Sequence, residues 1–272
     1  MPELPEVETV RTGLEQAIKG AAIRKVTLRR GDLRVPFPKG LAEALAGRRI
    51  ASIGRRAKYL LFYLDSGDAL IVHLGMTGRF LVEKKPPVLG KHDHVVFSLA
   101  DGRWLIFNDA RRFGLMTLAK KSDLEAHPLL AGLGPEPFDR GFSPKYLENA
   151  LAARKGPVKP VLMDQQLVVG VGNIYASEAL FRAGIDPRQP AHKAAGKAKE
   201  IVAAIRQVLK DAIASGGSSL RDFLHITGYS GDFQHRFQVY GRKGKPCFAC
   251  LTPIRMLRQA GRSTFFCPKC QK

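Results

Sequence analysis

Apolar positions near the start of the chain recur with a helical period. Val7, Val10, Leu14 and Ile18 fall on one stripe, Pro5 suits a first turn and Gly20 supplies a stop, so the spacing predicts a helix over 5–18. From Ile23 to about Leu118 the apolar runs become short and are split by turn residues. The segments 59–64, 69–74, 79–82, 94–99, 104–107 and 115–118 read as antiparallel strands of a sandwich or barrel. A short helix at 41–46 interrupts them, and the Pro- and Lys-rich stretch 83–91 reads as a loop. Over 132–144 Gly, Pro and Phe become frequent, which marks a domain boundary, and beyond it the period turns helical. Helices are expected at 144–153, from 161–163, at 173–183 with Gly184 and Pro187 closing it, and at 198–214. In the last of these Ile201, Ala204, Ile205, Val208, Leu209, Ala212 and Ile213 make one face, and Gly216-Gly217 ends it. Ser218 or Ser219 is placed to cap a further short helix through Leu224, followed by a loop with two glycines at 227–232.

Charge changes this picture. Of 272 residues, 44 are Lys or Arg against 24 Asp or Glu, a net charge of +20 that implies a polyanionic partner. An apolar fraction of 45% excludes a disordered basic tail. No basic stretch followed by an apolar one opens the chain, and no run approaches the ~18 apolar residues of a membrane span. The expected setting is the cytoplasm, where the four cysteines would stay reduced.

Those cysteines supply the strongest motif. Cys247 and Cys250 form one Cys-x-x-Cys, Cys267 and Cys270 a second, and the 16 intervening residues suffice for a β-hairpin. The set fits a closed tetrahedral site for one structural zinc, with no catalytic role for the metal. Between Phe233 and Lys272 nine Lys or Arg and no acid are interleaved with Phe237, Tyr240, Phe248, Phe265 and Phe266, the composition of a phosphate-binding hairpin. Upstream, Gly170-Val171-Gly172 leads into a helix start at which Asn173 can cap the helix or donate to a phosphate, with Lys155 and Lys159 close by in sequence. The turns Gly75-Met76-Thr77-Gly78 and Arg111-Arg112-Phe113-Gly114 each set a bulky apolar residue beside glycine amid positive charge, as wedges that unstack DNA do. Arg55-Arg56-Ala57-Lys58 and the pair His92 and His94 add cations beside strands.

Pro2 gives these features a chemistry. A small second residue normally lets Met1 be removed, which leaves a secondary amine whose pKa lies near the usual ~7.7–8.0 of an α-amino group. Such an amine attacks aldehyde-level carbon to give an iminium, an electron sink, and Glu3, Glu6 and Glu8 follow it as acid/base groups.

The chain resembles the formamidopyrimidine-DNA glycosylase family. The resemblance runs through 1–9, 55–60, 73–78, 91–94, 109–114, 133–137, 164–178, 239–244 and the cysteine segment. It implies an α+β multidomain protein: an N-terminal antiparallel β-sandwich with an N-terminal helix (1–132), a central helix-two-turns-helix domain (133–232) and a C-terminal β-hairpin zinc finger (233–272). It implies excision of oxidised purines from damaged double-stranded DNA, then strand cleavage at the abasic site by β,δ-elimination. Residue by residue, it makes Pro2 the Schiff-base nucleophile at C1′ and Glu3 the acid that helps open the sugar. Lys58 becomes the donor for β-elimination and Arg262 the residue of δ-elimination. His92, Arg111, Asn173 and one cation of Arg154 and Lys155 match DNA-binding positions. Met76, Arg111 and Phe113 fill the gap left by the extruded base, and Glu6 lines the base pocket. No organic cofactor, no membrane, a monomer and a bacterial, nucleoid-associated setting are expected. Ala110 stands where the family usually has Pro, and Arg154 where it usually has Lys. The rival branch, endonuclease VIII, shares the amine chemistry but prefers oxidised pyrimidines. A zinc-dependent DNA-binding module without activity would leave Pro2, Glu3 and Lys58 without a purpose.

Overall fold

The computed structural model describes residues 2–218 and 231–272. The expected short helix through Leu224 and most of the 227–232 loop lie outside these residues. The chain divides into two compact units, one of residues 1–131 with 216–232, the other of 132–215 with 233–272.

The first unit opens with α1 (Leu4–Ile18), whose Val7, Val10, Leu14 and Ile18 are all buried, as the periodicity requires. Eight strands follow: β1 (Ile23–Leu28), β2 (Ile50–Arg56), β3 (Tyr59–Leu64), β4 (Asp68–His73), β5 (Arg79–Glu83), β6 (Asp93–Leu99), β7 (Trp104–Asn108) and β8 (Leu115–Lys120), with the short α2 (Leu41–Leu45) between β1 and β2. They form two antiparallel sheets, ordered β1-β6-β7-β5 and β2-β3-β4-β8. One apolar cluster takes residues from α1 and both sheets, so the arrangement is a sandwich rather than a barrel. Phe80 of the first sheet is its hinge point: its ring lies 5.5 Å from Phe62 of the second sheet and 5.1 Å from Phe107 beside it.

Strands β1 and β2 are not among the runs picked out by apolar spacing. In β2 only Ile50 and Ile53 are buried, because Ser52, Gly54, Arg55 and Arg56 interrupt the alternation. That strand is held by its ladder to β3, from Ile50↔Leu64 to Arg56↔Tyr59, a tertiary pairing that local pattern does not carry.

The second unit holds α3 (Pro144–Ala152), α4 (Val158–Leu162), α5 (Asn173–Arg182), α6 (Ala191–Ala194), α7 (Ala198–Ala214) and the hairpin of β9 (Arg255–Gln259) and β10 (Arg262–Phe266). Ser143 caps α3, its Oγ accepting from Tyr146 N at 3.1 Å with Pro144 in the first turn. Helix α4 starts at Val158, three residues before the expected position, and α7 matches its predicted span. A file of aromatic rings, Tyr175, Phe233, Phe237, Tyr240 and Phe265, with centroids 5.1–5.8 Å apart, runs from α5 to β10 and packs the hairpin onto the helices. Among the described residues no helix is long and apolar enough to cross a membrane.

Because Phe80 links both sheets, Phe80→Ala should cost about 3–5 kcal/mol of unfolding free energy. Urea denaturation followed by far-UV circular dichroism would measure it.

Candidate active site

Helix α1 begins inside the protein: residues 2–7 are all buried, with Glu3 3% and Glu6 2% exposed. Burial of a helix start leaves amide donors that must be satisfied. Glu6 does part of this, its Oε2 accepting from the Glu3 amide at 2.8 Å, half of a capping box. Its other oxygen, Oε1, accepts from Ser218 N at 2.8 Å and Ser218 Oγ at 3.0 Å. A Cβ on Gly217, whose φ is +78°, would stand 3.0 Å from that same oxygen, so glycine is required for the approach. Glu6 thus ties the turn that carries Pro2 and Glu3 to the segment after α7.

Lys58 lies at the two-residue turn between β2 and β3 and is only 6% exposed. His73, at the end of β4, pairs across the sheet with Tyr59, their rings 5.0 Å apart. Burial, with the positive charges of Lys58 and Arg34, pushes the His73 pKa down to about 4, so the ring is neutral at physiological pH. Its Nδ1 accepts from Gly75 N at 3.0 Å, which orients the ring and starts the next loop. Burial raises the Tyr59 hydroxyl, opposed by Arg34. Arg34 is exposed, and its backbone amide donates to Gly114 O at 3.0 Å. Sequence reasoning passed over His73 and Arg34, which have no local motif.

The two turns at 75–78 and 111–114 are one structure. Met76 (37% exposed) and Phe113 (45%) project from adjacent loops, and the Arg111 guanidinium lies 4.8 Å from the Phe113 ring centre. Asp109, with no exposed surface, joins them. Its Oδ1 accepts from Thr77 Oγ1 at 2.5 Å and its Oδ2 from Gly114 N at 2.8 Å, while Arg111 N donates to Thr77 Oγ1 at 3.0 Å. Gly75 closes the contact: a Cβ there would stand 2.3 Å from the Phe113 carbonyl carbon. Asp109 N also donates to His92 O, and His94 Nε2 lies 2.8 Å from Asp109 O. His92 is half-buried and packs edge-on against His94.

The remaining site residues lie in the second unit. Gly172, not Asn173, is the N-cap of α5, which corrects the capping role expected for Asn173. The Asn173 side chain is drawn elsewhere: Oδ1 accepts from Lys159 Nζ at 2.5 Å, and Nδ2 donates to Tyr240 OH at 3.4 Å. Lys159 is 1% exposed and also donates to Thr264 Oγ1 at 2.8 Å and Ser263 O at 3.2 Å, which fastens β10 to the start of α5. Glu178 of α5 accepts from the amides of Gln238, Val239 and Tyr240 at 2.8–3.0 Å; burial pushes its carboxyl up, against those three donors. Arg262 is exposed at the start of β10. Arg154 is tethered, donating to Ala150 O at 2.9 Å and standing 3.6 Å from Asp164, whereas Lys155 is exposed.

The four cysteine Sγ atoms lie within 4.8 Å of one another, with Cys247 to Cys270 at 3.8 Å and Cys250 to Cys267 at 3.4 Å. Four thiolates at Zn–S ~2.3 Å in a tetrahedron stand ~3.8 Å apart, so the cluster has the dimensions and donor type of a structural zinc site.

Residues 1–116 match the formamidopyrimidine-DNA glycosylase N-terminal domain, 133–224 the formamidopyrimidine-DNA glycosylase H2TH domain, and 244–272 a zinc finger found in FPG and IleRS. The cysteine cluster falls within the last span, and the ion it holds is a structural zinc. Over the full length of both chains the sequence is 50% identical to formamidopyrimidine-DNA glycosylases of Ruegeria sp. and Azorhizobium caulinodans. Among solved structures it resembles the MutM (Fpg) protein of Thermus thermophilus, with TM-score 0.88, 42% identity and 99% and 98% of the two chains covered. It also resembles Lactococcus lactis Fpg in complex with abasic-site DNA, with TM-score 0.92, 35% identity and 99% of each chain covered.

Two outcomes follow from this geometry. Thr77→Val removes the hydroxyl between Asp109 and Arg111 and should cost about 1–3 kcal/mol through the unsatisfied buried Asp109, read as a lower urea midpoint. His73 binds its proton more weakly folded than unfolded, so stability is present above its ordinary value of 6.5 and falls as pH drops towards about 4. The full loss is on the order of 3 kcal/mol, and urea midpoints of the parent and His73→Gln across that window should converge at the acid end.

Proposed function

The chain belongs to the formamidopyrimidine-DNA glycosylase family, and on that premise we propose that Pro2, Glu3, Lys58 and Arg262 carry its reaction on damaged duplex DNA. It is a DNA glycosylase for oxidised purines with abasic-site lyase activity. The observation that carries the assignment of residues is the buried first turn of α1, where Pro2 precedes a carboxyl residue that is 3% exposed, in the unit that also buries Lys58.

With Met1 removed, the Pro2 nitrogen attacks C1′ of the damaged nucleotide, and the C1′–base bond breaks. Glu3 gives a proton to the ring oxygen, the sugar opens, and the new C1′–N bond becomes an iminium. That cation acidifies the C2′ proton; its loss expels the 3′ phosphate, with Lys58 handling protons in this β-elimination. A further elimination, assigned to Arg262, expels the 5′ phosphate, and water releases the sugar fragment from the amine. No metal takes part, since the four-thiolate zinc site is closed.

A base reaches such an amine only after leaving the stack. Met76, Arg111 and Phe113 take its place in the helix, held by the Asp109 network; a rigid wedge spends less of its binding free energy on ordering. Glu6, which the resemblance put at the base pocket, has both oxygens bonded to backbone and Ser218, so its part is to hold the wall of that pocket. Asn173, Arg262, His92 and one of Arg154 and Lys155 grip backbone phosphates. Lys155 is the better candidate, since Arg154 is already engaged. The protein acts as a monomer in the cytoplasm.

Borohydride trapping on a duplex with one 8-oxoguanine opposite cytosine should yield a covalent adduct that peptide mapping places at Pro2. A chain whose N-terminus is blocked by a tag should bind the duplex and give no adduct; full cleavage by the blocked chain would overturn the assignment.

A further inference from the structure

Lys58 is the second residue of a two-residue turn, and the first, Ala57, has φ +54°. That left-handed conformation is natural to glycine and disfavoured for alanine, so it persists only where the surroundings dictate it. The surroundings here are specific. Arg55 Nη1 donates to Ala57 O at 2.8 Å, and Arg55 Nε donates to Glu8 Oε2 at 2.8 Å. The second Glu8 oxygen accepts from Arg11 Nε at 2.7 Å, which braces the carboxyl on α1. Both side chains are largely buried: Arg55 is 12% and Glu8 21% exposed.

The consequence is geometric. The carbonyl of Ala57 belongs to the planar peptide that joins Ala57 to Lys58, so fixing that oxygen fixes the plane from which Lys58 departs. Through Glu8, that plane is referred to α1. Helix α1 has Glu3 as its N-cap and Pro2 one residue before. A guanidinium holds two directions at once, one prong on the carboxylate and one on the carbonyl, which an ammonium does not reproduce.

We propose that Glu8 and Arg55 are positioning residues that lock the Lys58 turn to the helix carrying the Pro2 nucleophile, so that imine formation and β-elimination act on one sugar without rearrangement. This rests on the assignment of Lys58 to β-elimination. Glu8 has a stated role as one of the acids after Pro2, and the structure turns it instead towards Arg55 and Arg11. Arg55, one of the cations set beside the strand, is a link inside the first unit.

The test separates steps. Single-turnover cleavage of a duplex with one abasic site would be compared with borohydride trapping on the same duplex and with binding to a tetrahydrofuran abasic analogue. Arg55→Ala should slow β-elimination about tenfold or more, the scale of a small displacement of a reacting group, while adduct trapping and analogue binding stay within about twofold. Millimolar guanidinium ion should restore part of the rate to Arg55→Ala and none to the parent, a readout that simple loosening of the fold would not give. Glu8→Gln should act in the same direction, and Arg55→Lys should recover little; both serve if Arg55→Ala does not fold. Wild-type elimination rates in Arg55→Ala or, failing that, in Glu8→Gln and Arg55→Lys, beside a slow Lys58→Ala, would overturn the positioning role. A Lys58→Ala chain that cleaves at the wild-type rate would instead sink the assignment of Lys58.

Discussion

Taking an ionisable side chain out of water is tolerable only when its bonding capacity is met inside, and most parts of this site are organised by that constraint. Glu6, Asp109, Lys159 and Glu178 are each at most 2% exposed. Each finds its partners on chain segments distant in sequence: Glu6 on Ser218, Asp109 on Thr77, Lys159 on Thr264 and Glu178 on residues 238–240. A buried group bonded in this way is costly to leave half satisfied, so it acts as a clamp with few alternative arrangements. The loops and termini assigned to the reaction are the segments so clamped.

The same constraint sorts the charges. The chain has an excess of 20 positive groups, yet several cations are paired locally: Glu8 with Arg55, Asp211 with Arg182 and Asp186 with Arg188. What remains for a polyanion is a smaller and better placed set, including exposed Arg111, Arg112, Lys155 and Arg262. Net charge forecasts the class of partner, because long-range attraction sums over all groups. It does not identify the contacts, because pairing is local.

That distinction explains what the chain alone made legible. The helix 198–214, the burial stripe of α1 and the four-cysteine cluster rest on short-range periodicity or spacing and stand as expected, and Met76 and Phe113 are exposed at their turns. Strand β2 was illegible because its register is supplied by β3. Asn173 reads as a cap or a phosphate donor from its place after Gly172, and the structure shows a side chain turned to Lys159 and Tyr240. The N-cap position itself passed to Gly172. The bonds of Lys159 and Thr77 and the shifted proton affinity of His73 could not be read from the sequence, since they lie in partners 14 to 105 residues away or in fields that only the fold creates.

Ala110 shows how such clamps alter the weight of a sequence departure. A proline there would restrict φ in the wedge turn, and its replacement by alanine suggests a looser loop. The turn, however, takes its shape from bonds on either side of that residue. Asp109 holds Gly114 N and the Thr77 hydroxyl, Thr77 holds Arg111 N, and Arg112 N donates to Asp109 O at 3.3 Å. Arg112 sits at φ +57°, a conformation that a loose loop would abandon. Proline stiffens chiefly by limiting the unfolded chain, whereas the Asp109 network acts on the folded loop itself. Alanine at 110 then costs the protein some stability of the unfolded-state kind and leaves the geometry of the 109–114 turn in place.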